Sequence, residues 1–293
     1  MRALVTGCNG QVGYCLATLL ADDDNVTLLA VDKEALDITN QDQVIEVVND
    51  FKPDIIINAA AYTAVDNAEQ QVELAYAINR DGPKFLAEAA QNIGAAILHI
   101  STDYVFEGNK STEYNELDIT NPQSIYGASK LEGEIAVAKV CEKHIILRTA
   151  WVFGEHGNNF VKTMLRIGAR SDELNIVGDQ YGGPTYAGDI AIILIDIAKR
   201  ISNHDFVEYG IYHYSGLPHV SWYEFADLIF NNAVAAGVIS RKPKLHRIPT
   251  EQYLTPAKRP SNSRLSTCKI TDNMGFIASD WQMALTNIEA FME

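Results

Sequence analysis

Tyr126 and Lys130 stand four residues apart in Ser-Ile-Tyr-Gly-Ala-Ser-Lys, over 124–130. On a helix, that spacing puts a phenol and an ammonium on one face, about a turn apart. The cation favours phenolate and is expected to lower the Tyr126 pKa from its ordinary value of about 10. Such a phenol can give a proton to a carbonyl oxygen or take one from an alcohol. Tyr-x-x-x-Lys is also an ordinary pattern on a solvated helix, so its meaning rests on what lies upstream.

Upstream, Ala3-Leu4-Val5 reads as a buried parallel strand and runs straight into Gly7-Cys8-Asn9-Gly10-Gln11-Val12-Gly13, followed by a helical run to about residue 21. Strand, glycine turn and helix in this order read as a pyrophosphate cradle, the alternative being the glycine turn of any α/β protein. Gly7 permits the tight turn, Gly10 lets backbone approach the phosphates, and Gly13 lets the helix pack on the strand. The phosphates would sit at the helix N-terminus, beside Gln11 and Val12, where free N–H groups and the dipole favour anions. The GxxGxxG spacing is one residue wider in its first gap than GxGxxG.

Asp32 closes the next apolar run, over 26–31, about 20 residues past the third glycine, where an acid meets the adenosine ribose hydroxyls. A carboxylate there repels a 2′-phosphate and favours NADH. The adjacent Lys33 offsets it, so NADH and NADPH both stay open. Asp37 and Ile38 could flank an adenine or belong to a helix-capping turn before a helix over 41–50. A third strand over 54–58 ends in Asn58-Ala59-Ala60-Ala61, whose small alanines allow close approach of a ligand at a strand's carboxyl end, and Tyr62 follows; Tyr62 and Asn79 are expected at the cofactor. A long helix containing Asn79 is expected over 69–93. A fourth strand over 95–100 ends in Ser101-Thr102-Asp103-Tyr104. The helix of Tyr126 and Lys130 runs to about 140, and a fifth strand over 145–148 leads to Trp151.

This alternation predicts an α/β fold: a Rossmann-type, doubly wound parallel sheet with helices on both faces and right-handed crossovers. Thr102, Tyr126, Lys130 and the glycine loop then converge on one edge of the sheet. Beyond 152 the pattern loosens into helices over 158–169, 190–201 and 222–237 and strands over 175–177, 210–214 and 245–248. The expected division is a dinucleotide-binding domain over 1–152 and a mainly substrate-binding lobe over 153–293, interleaved with the last elements of the sheet. In the loop 258–265, Arg259 and Arg264 could clamp a diphosphate bidentately or belong to solvated surface.

Composition excludes several classes. With 47% hydrophobic residues in 293, the chain can bury a large core. A formal charge of −15 argues against a nucleic-acid partner, which needs clustered Lys and Arg. No apolar run reaches the roughly 20 residues of a membrane span. Met1-Arg2 leads straight into a strand, so no signal peptide is expected. The four cysteines form no CxxC pair and the seven histidines no HExxH. Reduced thiols, no structural metal and a cytoplasmic location are therefore expected.

Taken together, the glycine loop, the strand-end Thr102 and the Tyr126–Lys130 helix resemble the extended short-chain dehydrogenase/reductases. Four stretches narrow the resemblance to the dTDP-4-dehydrorhamnose reductase family: Asn58-Ala59-Ala60-Ala61-Tyr62-Thr63-Ala64-Val65-Asp66, Ser101-Thr102-Asp103-Tyr104-Val105-Phe106, Gly157-Asn158-Asn159-Phe160 and Arg259-Pro260-Ser261-Asn262-Ser263-Arg264-Leu265. The resemblance covers essentially the whole chain. It implies reduction of dTDP-4-dehydro-L-rhamnose to dTDP-L-rhamnose by NADH or NADPH, the last step in making this nucleotide sugar for cell-surface polysaccharide. It implies Tyr126 as acid, Lys130 as the group that tunes Tyr126 and holds the nicotinamide ribose, and Thr102 as donor to the carbonyl oxygen. Val65, Asp103, Tyr104 and Trp151 match positions near the sugar, and Arg259 is expected at the diphosphate. Some similar enzymes are dimers bridged by magnesium through carboxylates. The matching positions here are Cys15 and Gly188, neither of them a ligand for a hard cation, so no such bridge is expected and a homodimer stays open.

Fold does not fix function. A sugar-nucleotide epimerase or dehydratase is one rival. Dehydratases carry a carboxylate pair after the catalytic Thr, and here Asp103 is followed by Tyr104. A non-catalytic regulatory subunit like that of methionine adenosyltransferase is the other; the intact Thr102, Tyr126 and Lys130 argue against it.

Overall fold

The structure, a computed structural model, describes residues 1–205 and 208–292. Six parallel strands form its main sheet: β1 (Arg2–Thr6), β2 (Thr27–Val31), β3 (Ile55–Asn58), β4 (Ala96–Thr102), β5 (His144–Thr149) and β6 (Gly210–His213). Their spatial order is β2-β1-β3-β4-β5-β6. The order reverses between β1 and β3, so a crevice opens there at the carboxyl ends.

The central strands read as continuous apolar runs because both their faces are covered. Ala3, Val5, Ile55, Ile57, Leu98, Ile145 and Leu147 face one side, against Val12, Leu16 and Leu20 of the helix Gln11–Ala21 and Ile190, Leu194 and Ile197 of Ala187–Ser202. The intervening Leu4, Ile56, Ile97 and Ile146 face the other side, against the helices Gln41–Phe51, Gly82–Ile93 and Ile125–Val140. The period-two alternation of strand side chains thus feeds two cores from one sheet.

The long helix expected over 69–93 is broken. Val72–Tyr76 passes into a π-helical turn, Ala77–Asp81, before Gly82–Ile93 resumes. Pro83 sits in the first turn of that last helix, where its missing N–H costs nothing, and Asn79 lies in the π turn.

After β5 the chain leaves the sheet, and its return through Ala187–Ser202 and β6 adds the last helix and strand to it. The remaining segments build a second core: Phe153, Val161, Met164 and Leu165 pack with Phe225, Ile229 and Phe230 of the helix Trp222–Ala235 and with Trp281, Leu285, Ile288 and Phe291. A parallel pair, Glu173–Val177 with Lys244–Ile248, edges this lobe. Among the described residues, no helix is long and apolar enough to cross a membrane.

Candidate active site

The crevice between β1 and β3 opens into a cleft with two continuous parts. The first, about 470 Å³, is walled by Gly7, Gly10, Asp32, Asp37, Ile38, Ala59 and Ala60. The second, about 570 Å³, is walled by Gln11, Val12, Val65, Thr102, Asp103, Tyr104, Tyr126, Lys130, Trp151 and Arg259. Asn9, Gly10, Ala59 and Ala61 border both.

In the first part, backbone makes the wall. Gly7 has φ +72°, and a Cβ there would meet Ala60 Cα at 2.6 Å, so the β1 and β3 termini approach as only glycine allows. The Gly13 face of the helix packs on the Gly7 carbonyl. This narrow backbone cradle at a helix N-terminus fits a dinucleotide pyrophosphate. Asp32 Oδ1 accepts the N–H groups of Glu34 (3.0 Å) and Ala35 (3.1 Å), and Asn9 Nδ2 donates to Oδ2 at 2.9 Å. The carboxylate is therefore fixed at the far end of the cradle. Asp37 accepts from the Thr39 N–H and hydroxyl, which hold its carboxyl below the usual range against the opposing effect of burial. Asp37 is thus a turn-forming residue that also borders the cleft; the helix cap proper is Asn40, which accepts from the Gln43 N–H.

Tyr62 and Asn79 hold the site from behind. Asn79, fully buried, accepts from the Tyr62 N–H at 2.8 Å and donates to the Tyr62 carbonyl (3.1 Å) and Ser129 Oγ (3.0 Å), whose hydroxyl donates to the Tyr126 carbonyl. The Tyr62 phenol turns to Gln71. A Cβ on Gly133 would meet the Asn79 carbonyl at 2.0 Å, so the Tyr126 helix can lie this close only because that position is glycine.

In the second part, side chains make the wall, with Thr102, Asp103 and Lys130 buried at its base. Ser124 caps the helix Ile125–Val140 by accepting from the Gly127 N–H, which sets Tyr126 in its first turn. Tyr126 is half-buried and borders the cleft. Burial raises its pKa above the ordinary value; the nearby Thr102 hydroxyl pulls it down, and Asp103 and Tyr104 push it up again. The expected lowering by Lys130 is not found: the groups that act on the phenol are Thr102, Asp103 and Tyr104, and the cost of a buried phenolate wins. Lys130 is itself depressed to about 8 by burial, with Glu134 opposing, and it donates to the Ile100 carbonyl at 2.6 Å.

Asp103 is buried and pushed up to about 6 by burial, against hydrogen bonds from Ser263 and Thr102. Its Oδ2 has no partner among the described residues. Tyr104 packs edge-on to Tyr126. Trp151, at φ +48°, is held in that uncommon conformation with its ring stacked 3.5 Å from Trp222. Arg259 reaches the cleft with one amino group on Asp66 at 2.8 Å and another 3.4 Å from the Tyr104 hydroxyl. Arg264 does not join it: its guanidinium is spent on Asn262 and the Ser111 carbonyl, so the expected pair of clamping arginines reduces to one.

Other residues take parts in or near the site that the sequence reading had not given them. Thr149, paired in register with Thr102, presents a buried hydroxyl with no partner among the described residues. Trp222 closes the cleft opposite the sheet. Asn159 caps the helix Phe160–Gly168 and donates to Gln11 at 3.0 Å, tying the second lobe to the glycine loop. Below the wall, Glu134 pairs with Arg148 of β5 at 2.7 Å, both buried, and accepts from Ser101 at 2.5 Å. Cys15 lies in a seam near Glu155, and burial pushes its thiol up to about 11.

Comparison with known proteins narrows what this cleft is. The family model described as the RmlD substrate binding domain matches residues 1–292. The dTDP-4-dehydrorhamnose reductase of Aggregatibacter actinomycetemcomitans is 53% identical over 292 residues, covering 100% of this chain and 99% of the relative. A crystal structure of the Clostridium acetobutylicum dTDP-4-dehydrorhamnose reductase superposes with a TM-score of 0.91 at 42% identity, covering 99% of this chain and 98% of that one. The Bacillus anthracis dTDP-4-dehydrorhamnose reductase, solved in complex with NADP, gives 0.89 at 38% identity, with 98% of each chain covered. With likeness of this depth running from end to end, the chain belongs to the dTDP-4-dehydrorhamnose reductase family.

Proposed function

We propose that this protein reduces the 4-keto group of dTDP-4-dehydro-L-rhamnose, giving dTDP-L-rhamnose, with Tyr126 as the acid. The observation that carries the reading is that Thr102, Tyr126 and Lys130 line one cleft with the glycine cradle, in a chain 53% identical to a reductase of this name. NADPH or NADH, bound along Gly7, Gly10, Gln11, Val12, Gly13, Asp32, Asp37, Ile38, Ala59 and Ala60, supplies the hydride. As the carbonyl carbon accepts it, the C=O pair moves onto oxygen. Thr102, its hydroxyl turned away from Asp103, donates a hydrogen bond to that oxygen, and the Tyr126 O–H proton passes to it. The Tyr126 phenol is protonated at neutral pH and so is available as the donor. Lys130 then offsets the tyrosinate charge until solvent restores the proton, and it holds the nicotinamide ribose. Tyr62 and Asn79 act from behind this wall. Val65, Asp103, Tyr104 and Trp151 enclose the sugar, and Arg259, released from Asp66, meets the diphosphate.

In this reading residues 1–152 carry the dinucleotide and 153–293 mainly the substrate, in a cytoplasmic enzyme whose product feeds cell-surface polysaccharide. A homodimer stays open, and light scattering reads it. The test is loss of NADPH or NADH absorbance with purified protein and dTDP-4-dehydro-L-rhamnose, with and without magnesium. Stoichiometric oxidation with dTDP-L-rhamnose formed is expected, magnesium being dispensable with Cys15 and Gly188 at the carboxylate positions. Cofactor binding without oxidation would overturn the reading.

A further inference from the structure

A buried polar chain runs behind the cleft from the β1 terminus to Lys130. Thr6 Oγ1 donates to Asn58 Oδ1 at 2.7 Å, and the Ala60 N–H donates to the same oxygen at 3.1 Å. A backbone N–H can only donate, so the Asn58 amide has one orientation: its oxygen faces Ala60 and its NH₂ faces away. That NH₂ lies 3.0 Å from His99 Nδ1. His99 Nδ1 must therefore accept, and the neutral ring carries its hydrogen on Nε2. Burial, and then the Lys130 charge, hold His99 well below its ordinary pKa, consistent with a neutral ring. Nε2 lies 3.4 Å from Lys130 Nζ. The lysine thus meets an N–H where an ammonium would find an acceptor useful.

We propose that His99 is a positioning residue for Lys130: locked by Asn58 with its hydrogen on Nε2, it presents a donor to the lysine and leaves the ammonium anchored, among the described residues, by the Ile100 carbonyl. One of the three ammonium hydrogens is taken there, and the other two are turned into the cleft, toward Tyr126 and the cofactor ribose. The same opposed donors make Lys130 release its proton more readily than burial alone would. The chain is also a dead end for protons, because the Asn58 amide neither gives nor takes one at neutral pH, so Tyr126 is reprotonated from the cleft side. The other charged group acting on Lys130 is Glu134 on its own helix, and Tyr126 borders the same cleft. Glu134 is held by Ser101 of β4 and Arg148 of β5, while Asp103 and Tyr104 at the end of β4 face Tyr126.

The inference rests on the role given to Lys130 above, and its test separates the two. Long-range proton–nitrogen NMR of the intact protein should show His99 as the Nε2–H tautomer; Nδ1–H, or an imidazolium at neutral pH, would overturn the proposal whatever the enzyme reduces. Asn58→Asp supplies an acceptor in place of the NH₂, moves the His99 hydrogen to Nδ1 and turns Nε2 into an acceptor for Lys130. The alkaline limb of NADPH affinity should then move up by about one pH unit, whereas His99→Gln, which can accept from Asn58 and donate to Lys130, should keep the native limb. An unmoved limb in Asn58→Asp would sink the positioning role. Because the limb is read from binding, failure of the reductase assay would leave it measurable.

Discussion

The two ends of the cleft are built by different means. At the β1–β3 crevice the wall is backbone: Gly7 against Ala60, Gly13 against the Gly7 carbonyl, and an Asp32 carboxylate fixed by two N–H groups next to it in the chain. At the Tyr126 end the wall is side chain, backed by buried groups tied to partners far away in sequence: Glu134 to Arg148 and Ser101, Asn79 to Ser129, His99 to Asn58. A backbone cradle selects a shape, and any cofactor with a pyrophosphate can use it. A dry set of partnered side chains selects a charge distribution, which is what proton transfer requires.

That contrast can be tested by breaking each end separately. The largest effect is expected from Tyr126→Phe, which removes only the transferable proton. Turnover should fall by about 10²–10⁴-fold, the usual worth of a positioned acid, with NADPH affinity nearly unchanged. Full turnover in a steady-state assay would remove Tyr126 from its role.

Next comes Glu134→Ala. It leaves the Arg148 guanidinium buried without its carboxylate, at a cost of about 3–5 kcal/mol in a pair this dry. Denaturant unfolding should show a lower midpoint at unchanged slope. A change under 1 kcal/mol would mean that His213, 3.5 Å from Arg148, takes over the contact. Gly7→Ala should do less to stability, about 1–2 kcal/mol for a side chain at positive φ, but it should weaken cofactor binding at least tenfold as the new Cβ pushes Ala60 away. Retained affinity, read by fluorescence titration, would show that the cradle adapts.

The same contrast explains what could be read from the chain alone. Buried parallel strands appear as apolar runs, and a backbone cradle appears as glycines at fixed spacing, so β1 to β5, the crevice and most of its lining were legible. The helix Ile125–Val140 has no clean apolar stripe, because its buried face holds Gly127, Ser129, Lys130, Gly133 and Glu134 beside Val137. Read in one dimension, Glu134 and Arg148 are surface charges; only the register of β4 on β5 and the helix above them makes them a pair. Arg259 and Arg264 likewise read as equals, and Asn262 decides between them. The break before Gly82-Pro83 did carry a signal, since a proline belongs in the first turn of a helix and not in its middle. Strands of two residues, such as Tyr181–Gly182 and Asn262–Ser263, are too short to have a period.

The smallest expected effect joins the two ends, because Lys130 belongs to the side-chain wall and acts on the cofactor in the backbone cradle. Its folded pKa lies at about 8, below the ordinary lysine value. The ammonium is therefore present below that pH and lost as pH rises through it. If the ribose and the cofactor's negative charge select the ammonium, binding takes up a proton above pH 8 and affinity declines there. Between pH 7 and 9 the NADPH dissociation constant should rise about tenfold, which is one ionisation read over that interval. Lys130→Met should bind more weakly at pH 7 and show a flat profile across the same range. A native profile that is also flat would place the lysine's influence on Tyr126 alone, and the two ends of the cleft would then work without a shared charge.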